Sequence, residues 1–305
     1  MSEKAIVKIS SSSLYDLQSC ARLYRFNKID RLQPLKKEKP LDYGNLFHYM
    51  VHPWRFGQIA EPKEHHLKHP YSRLLGLSKI ELNNVCREIG RLKSLTTDLS
   101  GEDRQKALEK FSEYTTYYAG LGWTFLEVEQ PFSIKIYEDD DIIIIFQGII
   151  DTLADIPKEG KTIVDTKTSG RETYTPVTDN QLMGTAYAFN VKNFYLDRVY
   201  DRKDSPFVLD RKSFLTEQKE EWLNTTVWWV KQGAFFIQND FYPPNFSSCK
   251  KYGGCRYMKT CEVPPSAREF TLNSKFKRGE DSNIYRIDPL MTEILDTLLP
   301  KTKSA

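Results

Sequence analysis

The apolar positions of the chain alternate between helical and strand spacing. The polar run Ser10 to Ser13 predicts the N-cap of a short helix through Leu14, Leu17 and Ala21, which share one helical face. A basic loop with Pro34, Lys36, Lys37, Lys39 and Pro40 follows. A second helix is expected from about Asp42-Tyr43-Gly44, carrying Leu46, Phe47, His48 and Met50. From about 72 to 118 the pattern stays helical, through Leu74, Leu75, Leu77, Ile80, Leu82 and Val85, then Leu108, Phe111, Tyr114 and Tyr118.

Near residue 125 the period shortens. Phe125 to Tyr137 alternates as a strand through Val128, Phe132, Ile134 and Ile136. The turn Glu138-Asp139-Asp140-Asp141 leads into the apolar run Ile142 to Ile150. A polar turn at Lys158-Glu159-Gly160-Lys161 precedes a further strand, Thr162 to Thr168. After Pro176 the helical period returns through Leu182, Tyr187 and Phe189. Two strand-like stretches, Asn193 to Tyr200 and Phe207 to Phe214, precede a long amphipathic helix from about Thr216 to Ile237. Helices, a strand meander, then helix, strands and helix predict an α/β (α+β) fold with a central mixed sheet. The expected division is an N-terminal helical region (1–124), a core (125–240) and a cysteine-bearing C-terminal region (241–305).

Composition narrows the class. The 17 Tyr, 17 Phe and 5 Trp argue against disorder. The longest apolar run is strand-sized and the first residues lack an apolar signal core, so no membrane span or export is expected and the location is read as cytoplasmic. Five cysteines in 305 residues do not make a disulfide scaffold. With 44 Lys and Arg against 41 acidic residues the net charge is +3, which permits a nucleic-acid partner without requiring one.

Chemistry enters at Asp151 and at Asp165-Thr166-Lys167. Each aspartate interrupts an apolar strand, where a charge needs a partner. Neighbouring strands of a hairpin bring the two carboxylates together, and a hard divalent cation relieves their repulsion. Lys167 shares the face of Asp165 by strand alternation. The competing reading is a hairpin salt bridge between Lys167 and one aspartate. The late cysteines, Cys249, Cys255 and Cys261, lie in a Pro/Gly/Lys-rich stretch with little core, where a metal clip is reasonable. Their gaps are long for a zinc knuckle, and three unconnected thiols is the plain alternative. Cys86 reads as a buried thiol. His52 reads as structural, and His65, His66 and His69 as solvated loop residues.

Gly148-x-x-Asp151, Asp165-x-Lys167 and a following helix with Gln181 together resemble the PD-(D/E)XK nuclease superfamily in its RecB-like exonuclease branch. Gly44-Asn45-Leu46-Phe47-His48 is similar to that branch's helical Gly-x-x-x-His motif. Val128-Glu129-Gln130-Pro131-Phe132 is similar to the acidic strand that opens the family core. The resemblance spans about residues 10 to 262 and implies a restriction-endonuclease-like core. It implies Mg²⁺ or Mn²⁺ held by His48, Asp151, Asp165 and the Thr166 carbonyl, with Lys167 orienting or deprotonating the attacking water. Gln181 and Tyr187 would meet substrate, although the family's Gln-x-x-x-Tyr spacing is broken here by Thr185. Glu129 is a further site candidate. Arg22, Tyr24, Lys36, Lys37, Arg256 and Tyr257 would line a strand channel.

Cys20 likewise resembles the early cysteine of RecB-like nucleases that carry a 4Fe–4S cluster, with Cys249, Cys255 and Cys261 as the late three. The usual late spacing is Cys-x2-Cys-x5-Cys, and the first gap is longer here. The implied protein is a metal-dependent deoxyribonuclease, acting as an exonuclease on single strands or duplex ends. It would work in recombination, repair or CRISPR-adaptation-like processing, with a protein partner of that kind. The alternative is a cluster-bearing nucleic-acid-binding protein whose nuclease fold does not cut.

Overall fold

The computed structural model describes residues 4–35, 41–169, 174–200, 204–250, 254–279 and 288–299. Lys36 and Lys37, expected in a strand channel, lie outside the described residues. The chain opens with strand β1 (Ala5–Ile9), helices α1 (Ser11–Ser19) and α2 (Ala21–Tyr24), a π-helical turn at Arg25–Ile29 and strand β2 (Leu32–Pro34). Helices α3 (Leu41–Phe56), α4 (Glu64–Lys68), α5 (Lys79–Ser94) and α6 (Gly101–Ala119) follow, with a 3-10 turn at Pro70–Leu74. The meander is β3 (Thr124–Glu138), β4 (Ile142–Ile156) and β5 (Gly160–Ser169). Then come α7 (Asn180–Ala188), β6 (Asn193–Tyr200), β7 (Phe207–Ser213) and α8 (Thr216–Gln238). The C-terminal part holds α9 (Met258–Glu262), α10 (Pro265–Lys275), β8 (Phe276–Arg278) and α11 (Pro289–Leu298).

Local chemistry accounts for the boundaries. Ser10 caps α1, its hydroxyl accepting the Ser13 amide at 3.3 Å. Ser78 and Glu81 form a reciprocal capping box on α5. Asp139 accepts the amides of Asp141 and Ile142 at 3.0 and 2.9 Å, closing the β3–β4 turn.

Among the described residues the central sheet has six strands in the order β1-β4-β5-β6-β7, with β3 also paired to β4. β1–β4 and β5–β6 are parallel and the remaining pairs antiparallel, which makes the sheet mixed as expected. Strand β1 was not foreseen. Its five residues show little alternation, and pairing with the apolar start of β4 supplies what its own pattern lacks.

Helices cover both faces of the sheet. On one side α3, α5, α6 and α11 bury Phe47, Met50, Trp54, Ile89, Phe111 and Ile294. On the other α1, α7 and α8 bury Leu14, Leu17, Leu182, Trp222 and Val230. Strand β4 serves both cores. Ile142, Ile144, Phe146 and Ile150 pack on the α7–α8 side, whereas Ala154 and Ile156 belong to the α3 side and Thr152 bonds Arg55 of α3. The inward-facing parity therefore changes over near Asp151, and the apolar run read as ending at Ile150 continues as one strand to Ile156. On the partner strand the changeover falls at Glu129, whose backbone is left-handed at φ +49.

A small third cluster joins Phe26, Tyr257 and Phe276 beside the β2–β8 ribbon. Tyr257 is almost fully buried there, its hydroxyl donating to Asn27 and the Leu32 carbonyl. It therefore does not line a strand channel, contrary to expectation.

Candidate metal and nuclease site

The β4–β5 hairpin is antiparallel, with Thr152 paired to Val164, so Asp151 and Asp165 stand together just beyond that pair. The Thr166 amide donates to Asp151 Oδ2 at 3.0 Å. Lys167 curls back along its own strand, Nζ 2.7 Å from Asp165 Oδ2. Gln181 arrives from the first turn of α7, which Asp179 caps by accepting the Gln181 and Leu182 amides. Its Nε2 donates to Asp165 Oδ1 at 2.7 Å, and its Oε1 lies 3.3 Å from Lys167 Nζ. Asp165, Lys167 and Gln181 thus form a closed triangle over Asp151.

Helix α3 delivers the histidines. A Cβ on Gly44 would meet Thr168 Oγ1 at 2.6 Å, so a glycine is needed for the helix to approach β5 this closely. His48 Nδ1 lies 3.8 Å from Asp151 Oδ2. His52, one turn on, also reaches the site: its Nε2 is 2.9 Å from His48 Nδ1 and 3.7 Å from Asp151 Oδ2. Its Nδ1 is 2.7 Å from Glu129 Oε1. The structural role expected for His52 is therefore incomplete. The signal available was its helical spacing from His48.

The same helix is pinned from below. Arg55, wholly buried, bonds Asp197 Oδ2 of β6 at 2.7 Å, Thr152 of β4 at 3.0 Å and the Tyr114 hydroxyl of α6. Thr166 Oγ1 donates to the same Asp197 oxygen at 3.1 Å. No sequence motif pointed to Arg55 or Asp197, because their partnership exists only across the sheet.

The electrostatics follow from this packing. Burial, and then the charge of Asp151, push the Asp165 carboxyl up to about 6. Asp151 moves the other way: burial opposes its charge, but His52, His48 and Lys167 outweigh it and hold the group below the usual carboxylate range. Burial and the neighbouring His52 lower His48 to about 4, leaving it a neutral imidazole. Burial pulls His52 down, yet Glu129 and Asp151 overcome it and raise the ring to about 10. Lys167 is raised because its two aspartates outweigh burial, so it stands as an ammonium donor.

Two crowded carboxylates, one protonated more readily than normal, with a neutral imidazole beside them, are a donor set that suits a divalent cation. His48, His52 and Asp151 offer three ligand atoms within 4.8 Å of one another. A second such group, His65, His66 and Glu127, differs in its chemistry. Lys63 Nζ holds the other Glu127 oxygen at 2.6 Å. His66 Nδ1 accepts the Lys63 amide, so its Nε2 carries the proton donated to Glu127. His66 is buried in this ion-paired cluster, and His69 stacks on Phe56, so neither is a solvated loop residue.

The remaining expected site residues divide. Tyr187 packs its ring on Trp222 in the α7–α8 core instead of joining Gln181. Tyr24 is half-buried against the same core. Arg22 lies beside Cys20 on α2, with a buried Nη1 that has no hydrogen-bond partner among the described residues. Cys20, Cys249, Cys255 and Cys261 line one cavity of about 280 Å³ between the α1–α2 junction and the C-terminal loop, and Arg256 borders it. The Asn245 amide donates to Cys20 Sγ at 3.3 Å. Burial, and then the neighbouring thiols, raise Cys249. Cys86 is fully buried in the α3 core, as expected.

A mixed sheet with helices on both faces, and an Asp, Asp-x-Lys hairpin in its central strands β4 and β5, define a nuclease fold. The chain belongs to the PD-(D/E)XK nuclease superfamily, whose model matches residues 8–262. Among solved structures it is similar to SSO0001, at 12% identity, a TM-score of 0.38, and coverage of 87% of this chain and 88% of that one. It is also similar to a "Putative exonuclease" from Eubacterium rectale, at 13% identity, a TM-score of 0.45, and coverage of 87% and 92%. No curated protein matches the chain. Among the described residues no helix is long and apolar enough to cross a membrane.

Proposed function

We propose that the protein is a divalent-metal-dependent deoxyribonuclease of the RecB-like branch, an exonuclease that hydrolyses phosphodiester bonds at single strands or duplex ends. The observation that carries the reading is the triangle of Asp165, Lys167 and Gln181 above Asp151. A hairpin salt bridge alone has no use for the second carboxylate or for a glutamine that bonds both members of the pair. His48, Asp151 and Asp165 would hold Mg²⁺ or Mn²⁺, with the Thr166 carbonyl as a further ligand. When bound, the ion supplies positive charge beside the scissile phosphate.

The protein's own groups do the rest. Lys167, kept as an ammonium by Asp165 and Asp151, donates to the attacking water or a phosphate oxygen. Its charge suits orientation and charge neutralisation better than proton removal. Gln181 holds Lys167 and Asp165 at fixed separation and stands at the mouth of α7 to meet substrate. Hydrolysis forms a bond from water oxygen to phosphorus, breaks the ester P–O bond and leaves a proton on the departing oxygen.

In this reading the C-terminal region carries a 4Fe–4S cluster on Cys20, Cys249, Cys255 and Cys261. Four thiols around one cavity, with an amide directed at a sulfur, support it. Arg256, which borders this cavity, would meet a strand there, with Arg22 on the neighbouring α2. A recombination, repair or CRISPR-adaptation-like role, with a matching protein partner, is the process this chemistry would serve.

End-labelled single strands and duplexes digested with Mn²⁺ or Mg²⁺ test the proposal. Wild-type protein should shorten labelled ends, while folded Asp165→Ala and Lys167→Ala should lose cleavage by about 100-fold or more and still bind DNA. Undiminished cutting by folded Asp165→Ala protein defeats the assignment.

A further inference from the structure

We infer that His52 is itself a ligand of this cation site, aimed into it by Glu129, so that two imidazoles take the ion and favour Mn²⁺ over Mg²⁺. The inference rests on the nuclease-site reading and adds to it a residue outside the His48, Asp151, Asp165 and Thr166 set.

The geometry begins with Glu129. It lies between the pairs Val128–Thr152 and Gln130–Ile150, directly across from Asp151. Its backbone is left-handed at φ +49, an unfavourable conformation for a residue with a Cβ. Strain of this kind persists where surrounding contacts hold it, and it clusters at functional sites. The Tyr71 hydroxyl and His52 Nδ1 both bond the Glu129 carboxylate. With Nδ1 engaged, His52 has one nitrogen left, whose proton the cation would displace to solvent on binding, and Nε2 faces His48 Nδ1 at 2.9 Å and Asp151 Oδ2 at 3.7 Å. His48 Nδ1 to Asp151 Oδ2 closes the set at 3.8 Å.

A carboxylate that fixes one ring nitrogen while the other binds metal is the usual support of a ligating histidine. Ligands about 2.1 Å from one ion stand about 3.0 to 3.4 Å apart, so this trio needs only a small inward movement. His52 is buried, and its ring cannot turn elsewhere without abandoning Glu129. A histidine that merely joined α3 to β3 would need the Glu129 contact alone. It would not need its second nitrogen beside both His48 and Asp151.

The donor types then select the ion. Mg²⁺ binds oxygen and gives up its waters reluctantly. Imidazole nitrogen suits transition ions, and Mn²⁺ accepts it together with carboxylate oxygen. Each imidazole in the set shifts preference away from Mg²⁺.

The test uses full-length protein loaded with Mn²⁺. Electron spin-echo spectroscopy counts the imidazole nitrogens coupled to the ion, and calorimetric titrations give Mn²⁺ and Mg²⁺ affinities. Wild type should show two coupled imidazoles, and His52→Ala and His48→Ala one each. His52→Ala should weaken Mn²⁺ by about tenfold or more and Mg²⁺ by less than about threefold, so the selectivity ratio collapses. Glu129→Gln should keep the fold and weaken Mn²⁺ by about 10- to 100-fold. One coupled imidazole in wild type, with binding still lost in Asp165→Ala, overturns the His52 assignment and leaves the nuclease site standing. Absent binding, or binding that ignores Asp165→Ala, overturns both. If His52→Ala does not fold, the nitrogen counts of wild type and His48→Ala decide the matter.

Discussion

Asp165 shows how one residue can be costly to the empty fold and useful to the site. Its carboxyl is raised to about 6, by burial first and then by Asp151. A raised carboxyl is best accommodated when protonated, so its contribution to metal-free stability is full below the unfolded value, about 4, and is lost as pH rises through about 6. Asp165→Asn, which cannot ionise, should melt close to wild type near pH 4 and above it at pH 7.5 in chelator. The melting difference should grow through about pH 6, and a pH-independent difference would contradict the packing described. Added Mn²⁺ should raise the wild-type melting temperature only, because an ion that binds the folded state alone stabilises it. The same ionisation requires wild-type metal affinity to fall as pH drops below about 6.

Helix α3 is the element on which the site depends. It brings His48 and His52 to Asp151, and it is seated by Gly44 on β5 and by Arg55 under the sheet. Arg55 and Asp197 are both wholly buried, so removing one partner strands the charge of the other. Arg55→Met is expected to cost about 3–5 kcal/mol and to weaken metal binding by loosening α3. Asp197→Leu should be similarly damaging. The double variant Arg55→Met/Asp197→Leu should recover part of the loss, since no unpaired charge remains. Chemical denaturation of the four proteins gives the coupling energy, and strictly additive losses would show that the pair does not act as a unit.

At the scale of the whole molecule, the cysteines connect distant parts of the chain. Cys20 follows α1, while Cys249, Cys255 and Cys261 come after α8, and the Asn245 side chain bonds the Ser19 carbonyl across the junction at 2.9 Å. A cluster held by all four would close a loop over most of the chain and stabilise both ends together. Anaerobically purified protein should be brown and carry about four irons per chain. Substituting any one of the four should bleach it and lower the melting temperature of the N-terminal helices and the C-terminal loop in concert. Cys86→Ala, in the α3 core, should keep the colour. Colourless protein with one zinc would replace the cluster by a zinc site.

Much of this protein was legible as local pattern. The extents of β3, β6, β7 and α8 follow from periodicity, and the Asp151, Asp165 and Lys167 hairpin follows from charges interrupting apolar strands. Those features depend on neighbours in sequence, where side-chain period and the cost of a buried charge act directly. Glu129 was legible as a site candidate and His52 by its spacing from His48, but the partners of both, and the roles of Arg55 and β1, were not. Each takes its role from a partner far along the chain: Asp151 for His52, His52 for Glu129, Asp197 for Arg55, and the start of β4 for β1. Tyr257 and His66 were misplaced for the same reason, since burial of a polar aromatic or imidazole is set by what packs over it. A side chain's spacing carries its face, but its partner across a sheet exists only once the chain has closed on itself.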